Sequence, residues 1–196
     1  MRHHYTWMAG AACLLIMLSL TLFPAYACAA DKPYKRSVER YQMPDVTLIN
    51  QEGKKVRLKN LVESGKPVIV DFIYGTCTTI CPVLSACYTN LQNKLGANTQ
   101  KVHLVSISID PENDSPRVMR EYLKRYRAKP GWDFLTGSRK DIDAVMKGFN
   151  AYIPNKMSHY AVTFIHMPGG NNWIRINGIT STSEFIEEIK KAGISL

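Results

Sequence analysis

The chemistry of this chain is concentrated in Gly75-Thr76-Cys77-Thr78-Thr79-Ile80-Cys81-Pro82. These residues lie where a β-branched, aromatic run, Val68-Ile69-Val70-Asp71-Phe72-Ile73-Tyr74, hands over to a helical pattern. Two residues four apart share one helix face, with β-carbons about 5–6 Å apart. Cys77 and Cys81 can therefore close on one metal ion or, after a small adjustment, on each other as a disulfide. A helix start also favours thiolate over thiol, through unpaired backbone N–H groups and the positive end of the helix dipole. Thiolate is the form that binds metal and the form that attacks a disulfide. Two small apolar core residues are the plain alternative, and a loop–helix junction at a sheet end suits that role poorly.

A third donor separates the chemistries. His159, in Asn155-Lys156-Met157-Ser158-His159-Tyr160, precedes the strand-like run from Ala161 to Met167, in a loop that this strand order can bring to the Cys77 end of the sheet. Two soft thiolates and an imidazole suit Cu(I), or Cu(II) with one more ligand; sulfur disfavours magnesium, calcium and manganese. Zinc accepts the same donors but normally closes a structural set of four. His103 and His166 fall within strands and read as structural, and His3 and His4 belong to the N-terminal segment. Cys87 lies on the apolar stripe of the helix and reads as core, with a resolving or regulatory thiol as its alternative. Met157 offers a soft sulfur two residues before His159, yet packing is the simpler role. Asp110-Pro111-Glu112-Asn113-Asp114 either turns carboxylates toward the site or makes a turn and helix start.

These residues must be positioned by a domain beginning near Asp45. Val46–Ile49 and Val56–Leu58 flank a turn at Gly53, which predicts a hairpin. The continuous apolar run 68–74 predicts a buried central strand, followed by a helix from Cys77 to Leu95 that Gly96 caps. A second buried strand spans Val102–Ile109. Ser115-Pro116 opens a helix to about Tyr126, Trp132–Leu135 is a short strand, and Ser138 with Asp141 opens a helix to Phe149. Two strands, Ala161–Met167 and Trp173–Ile176, then flank Pro168-Gly169-Gly170-Asn171-Asn172, and a last helix runs from about Ser183 to Ala192. This order describes an α/β domain.

The chain has 196 residues, 45% of them hydrophobic, enough for one cored domain with appendages and too apolar for disorder. Its 5 cysteines are too few for a disulfide scaffold. Residues 1–30 read as a secretory signal: Arg2, an apolar centre to Phe23, then Pro24-Ala25-Tyr26-Ala27-Cys28-Ala29-Ala30, with cleavage after Ala27, Ala29 or Ala30. A retained membrane anchor through residues 7–30 is the competing reading, and lipid attachment at Cys28 a third. Residues 31–44 read as a polar tether, leaving 45–196 as the domain. With Cys13 and Cys28 in the signal, the domain keeps three cysteines, so at least one has no partner within the chain. Excess positive charge, 25 Lys+Arg against 16 Asp+Glu, does not point to nucleic acid, because the cations are spread and the chain is exported. The densest group, Arg117, Arg120, Lys124, Arg125, Arg127 and Lys129, reads as a solvated helix face, or as a dock for an acidic partner or anionic lipid.

From Asp45 onward the chain resembles the Sco/SenC family of membrane-associated copper proteins. The matching pieces are Asp71-Phe72-Ile73-Tyr74-Gly75-Thr76-Cys77 to Cys81-Pro82, Ser106 to Asp114, Leu135-Thr136-Gly137, and His159 before the last strand pair. The resemblance implies a thioredoxin-like fold, a central mixed sheet flanked by helices, here with an extra N-terminal β-hairpin. It implies one copper ion per chain, held by Cys77, Cys81 and His159 and passed to the dinuclear copper centre of a respiratory oxidase. The expected setting is the periplasm or the periplasmic side of the inner membrane, with a thiol–disulfide reductant as a further partner. Thr78 and Ser158 stand where many members carry Pro and Asp, which bears on how the histidine is oriented. The alternative is a thiol:disulfide oxidoreductase cycling Cys77 and Cys81. That reading leaves His159 idle, and three residues separate the cysteines where thioredoxin-type exchange enzymes have two.

Overall fold

The computed structural model describes residues 32–196; the signal or anchor segment, with Cys13 and Cys28, lies outside the described residues. The elements are β1 (Tyr34–Glu39), β2 (Thr47–Ile49), β3 (Lys55–Arg57), α1 (Leu58–Val62), β4 (Val68–Ile73), α2 (Cys81–Leu95), β5 (His103–Ser108), α3 (Pro116–Arg125), β6 (Trp132–Leu135), α4 (Arg139–Gly148), β7 (Val162–His166), β8 (Trp173–Gly178) and α5 (Thr182–Lys191). Short 3-10 turns cover Gly96–Lys101 and Lys156–Ser158. Six strands form one mixed sheet in the order β1-β8-β7-β4-β5-β6, and β2 with β3 makes the separate hairpin. β4 runs parallel to β5 and antiparallel to β7. Every residue of β4 is buried, as its unbroken apolar run requires.

Strand alternation sorts the core into two layers. Phe72 meets Phe149 and Phe164, which Tyr41 and Trp173 extend. Tyr88 of α2 packs against Trp132 and Phe185, while Tyr122 of α3 meets Phe134. Ser115, Ser138 and Ser181 cap α3, α4 and α5 through their side-chain oxygens, and Ser181 completes a capping box with Glu184.

Two expectations are corrected. Residues 31–44 do not remain a bare tether, because Tyr34–Glu39 adds an antiparallel edge strand along the full length of β8. Its sequence, Tyr-Lys-Arg-Ser-Val-Glu, lacks an apolar face; backbone pairing and polar contacts to α5 hold it. The Tyr34 hydroxyl donates to Glu188 Oε1 at 2.8 Å, and Arg36 pairs with the same buried carboxylate at 3.0 Å. Secondly, α2 starts at Cys81, not Cys77. Pro82 has no N–H to give the Thr78 carbonyl, and its ring would clash there, so a helix running from Cys77 is blocked while one beginning at Cys81 is favoured.

Candidate metal centre

Cys77 and Cys81 are therefore brought together by a turn, not by a shared helix face. After β4, the Cys77 N–H donates to the Tyr74 carbonyl at 3.1 Å. The Gly75 N–H points at both oxygens of buried Asp114, each 3.1 Å away. A β-carbon at position 75 would stand 2.7 Å from Asp114 Oδ1, so only glycine lets the loop approach so closely. Ser108 Oγ donates to the same carboxylate. Asp114 thus anchors the loop from the end of β5 instead of lining the site.

His159 arrives from the other side, where the 3-10 turn Lys156–Ser158 delivers it just before β7. Donor atoms of Cys77, Cys81 and His159 all lie within 4.8 Å of one another. Metal–sulfur bonds of about 2.3 Å would bring donors so spaced onto one ion after a small inward shift. Cys81 Sγ and His159 Nδ1 are 3.8 Å apart, and Cys77 Sγ lies 3.6 Å from Thr79 Oγ1. Both thiols are free, Cys77 7% exposed and Cys81 0%. Tyr74 meets the His159 ring edge-on, with centroids 6.0 Å apart. Lys156 lies over the Tyr74 ring and pairs with buried Asp110, tying the histidine loop to the end of β5.

Surroundings split the two thiols. Burial opposes ionisation of Cys77, but the Cys81 thiol and the Cys81 and Thr79 backbone, with the Thr79 side chain, more than offset it and bring the pKa down to about 7. Burial, reinforced by the neighbouring Cys77, pushes Cys81 well above the thiol range. Burial also lowers the pKa of His159, with the Phe72 backbone pulling weakly the other way. Its imidazole is neutral at pH 7, and buried Nε2 has no hydrogen-bond partner among the described residues. One ready thiolate, a second thiol behind it and a neutral imidazole form a soft donor set with room for one ion.

Known proteins share this organisation. Its sequence matches the SCO1/SenC family profile over residues 36–193. The chain belongs to the SCO1/SenC family. It is 32% identical over 185 residues to the SCO1 protein homolog of Bacillus subtilis, covering 89% of this chain and 95% of the relative. Among solved structures it resembles BsSco, a member of the Sco family of cytochrome c oxidase assembly proteins in which a disulfide switch was identified; the TM-score is 0.66 at 32% identity, over 80% of this chain and 95% of that one. Arabidopsis thaliana ScoI, solved with copper bound, matches with a TM-score of 0.61 at 28% identity, over 76% of this chain and 96% of that one. With these neighbours the fold is thioredoxin-like, as the family resemblance implied.

The remaining candidates separate cleanly. His103 and His166 both stand opposite Val68, at the start of β4 and so at the far end of the sheet from Cys77; His166 Nε2 lies 2.9 Å from the Gly170 carbonyl oxygen. Cys87 is buried on α2, its sulfur 3.9 Å from the Thr180 carbonyl. Met157, expected to pack, is instead 75% exposed, because the turn that presents His159 projects outward. Sequence reasoning missed Tyr74 and Lys156, whose roles exist only through contacts between loops.

Proposed function

We infer that this protein is a copper-binding protein of the cell envelope that takes up one copper ion on Cys77, Cys81 and His159 and delivers it to the dinuclear copper site of a respiratory oxidase. The observation that carries this reading is the convergence of three soft or borderline donors from two separate loops at one sheet end. Copper in Arabidopsis ScoI and the oxidase-assembly role of BsSco's family support it. Export, by the N-terminal apolar segment, belongs to the same reading.

The residues divide the work. Cys77, ionised near neutrality and the more exposed of the two thiols, is the first thiolate to meet incoming copper. Cys81 ionises once the cation is present, since a bound metal deprotonates a coordinating thiol, and His159 contributes a neutral lone pair. Delivery is the reverse by ligand exchange, with an acceptor's donors replacing these one at a time. A second reading, thiol:disulfide exchange through Cys77 and Cys81, is favoured by the depressed Cys77 pKa and by the disulfide switch identified in BsSco. The two are compatible, because exchange with a partner's disulfide, which takes the two electrons and leaves as two thiols, would join Cys77 to Cys81, remove both thiolates and release the metal.

An anaerobic Cu(I) competition titration tests the proposal, with wild type beside His159→Ala and the Cys77→Ser/Cys81→Ser double variant. One tightly bound copper per chain, lost from both variants, is the expected result. Wild-type binding no tighter than theirs leaves thiol exchange as the activity.

A further inference from the structure

Cys81 is fully buried and Cys77 nearly so, so any acceptor that takes a metal from them must first touch the surrounding surface. That surface is apolar on one side. Val83, in the first turn of α2, is exposed, as are Met157 and Tyr160 on either side of His159, and Ile179 just after β8. They belong to one strip: Gly178 N–H donates to the Ala161 carbonyl at 2.9 Å, placing Ile179 beside Tyr160. Along the α2 row of Val83, Cys87 and Asn90, Cys87 contacts the Thr180 carbonyl and Asn90 donates to Thr182 Oγ1.

The other margin is cationic. Arg125 donates to the Gly75 carbonyl at 3.3 Å, two residues before Cys77. With Arg127 it lines a groove of about 280 Å³ against Ala86, Thr89 and Asn90 of α2. The single carboxylate of α3, Glu121, is taken by Lys124 at 2.9 Å, which leaves Arg125, at the end of that helix, and Arg127, just beyond it, without a counter-charge from α3. Glu112 and Asp110, the nearby acidic residues of the β5 exit, are held by Arg139 and Lys156.

We propose that this apolar strip and its Arg125–Arg127 margin form the docking surface for a copper-acceptor protein that brings an apolar patch and a rim of carboxylates to the metal centre. The proposal rests on the copper-delivery reading above. Charge complementarity fixes the partner's sign, and it disfavours a second copy of this basic chain, whose own arginines would oppose these. Opposite charge steers encounter and sets register, so its removal acts on association. The apolar strip excludes water around the exchanging ligands.

The test uses the full-length protein loaded with Cu(I) and, as acceptor, the apo copper-binding domain of the same organism's respiratory oxidase. Arg125→Glu/Arg127→Glu and Val83→Asp are compared with wild type, and Arg127→Glu alone serves if the double variant does not fold. Second-order transfer is expected to slow about tenfold in the charge-reversed protein at low ionic strength, with the gap closing as salt rises. Val83→Asp slows transfer at every ionic strength, and copper affinity in Val83→Asp and in Arg127→Glu alone stays within about twofold of wild type, because neither change touches a donor or the Gly75 carbonyl that Arg125 holds. Unchanged transfer in both variants overturns the proposal. So does a defect confined to binding of phosphatidylglycerol vesicles with transfer intact, which assigns the face to lipid, or a concentration-dependent homodimer that Val83→Asp dissolves while transfer persists. Wild type that binds no copper, or binds it and transfers none, is a different failure and sinks the delivery reading itself.

Discussion

Cys77 and Cys81 carry one functional group into two environments, and the difference decides which sulfur acts first. With its pKa at about 7, Cys77 is half ionised at neutral pH, whereas the Cys81 thiol keeps its proton. Iodoacetamide is therefore expected to label Cys77 first, with a rate that rises to a plateau through a midpoint near pH 7, read by peptide mass spectrometry. Thr79→Val removes one contact that lowers this pKa and moves the midpoint upward. Preferential labelling of Cys81 contradicts the assignment. Beneath the pair, Asp71 on β4 is fully buried with neither oxygen hydrogen-bonded among the described residues. Burial, only partly countered by neighbouring Ser106, lifts its pKa to about 7. Unfolded, the same carboxyl releases its proton near pH 4. Folding thus takes up a proton between these values; the stability linked to Asp71 is complete below about pH 4 and is lost as pH rises to about 7, by up to ~4 kcal/mol. Asp71→Asn removes that slope, so urea denaturation should show the variant gaining on wild type from pH 4 to 7 and the gap staying constant above. Parallel profiles would falsify the buried, neutral carboxyl.

At the scale of elements, two loops from different parts of the chain must stay in register for three donors to meet, and the Lys156–Asp110 pair is what joins them. Lys156→Met is expected to lower Cu(I) affinity about tenfold, in the range found when groups behind a metal ligand are removed, while Lys156→Arg preserves most of it. Because the effect travels through the histidine, Lys156→Met should add almost nothing in a His159→Ala background. Additive losses in that cycle mean that the lysine acts elsewhere. This latch also marks the limit of what sequence shows. The buried strand 68–73, the capped helices after Ser115 and Ser138, and the Cys77, Cys81 and His159 triplet were legible, because local periodicity, capping chemistry and donor type are local properties. Lys156 meets Asp110 46 positions away in the chain, and Gly75 meets Asp114 39 away; no pattern in either neighbourhood announces those contacts. The start of α2 departs from the expected Cys77 for a local reason: Pro82 marks a first turn and outweighs the four-residue spacing of the cysteines.

For the whole molecule, β1 decides where the folding unit begins. Polar composition hid it, because an edge strand needs only one face and its backbone pairs satisfied, and here just Tyr34 is buried. Removal of the chain through β1 leaves Glu188, 1% exposed on α5, without Tyr34, Arg36 and Lys32, so that among the described residues only Lys191 remains as a partner. Loss of these partners from Glu188 costs less than the roughly 3–5 kcal/mol of a fully stranded buried charge, because Lys191 stays and water gains access, and lost burial of the Tyr34 ring adds about 2 kcal/mol. A chain beginning at Arg40, which loses β1 but keeps Tyr41 against Phe164 and Trp173, is therefore expected to unfold at markedly lower urea concentration than one beginning at Lys32. The same substitution then distinguishes cause from coincidence. Glu188→Leu should stabilise the shorter chain, by replacing a carboxylate left with Lys191 as its one partner by an apolar side chain, and destabilise the longer one, by leaving the Tyr34 hydroxyl and Arg36 without their acceptor. Equal effects in both chains mean that β1 does not neutralise Glu188 and that the folding unit starts after it.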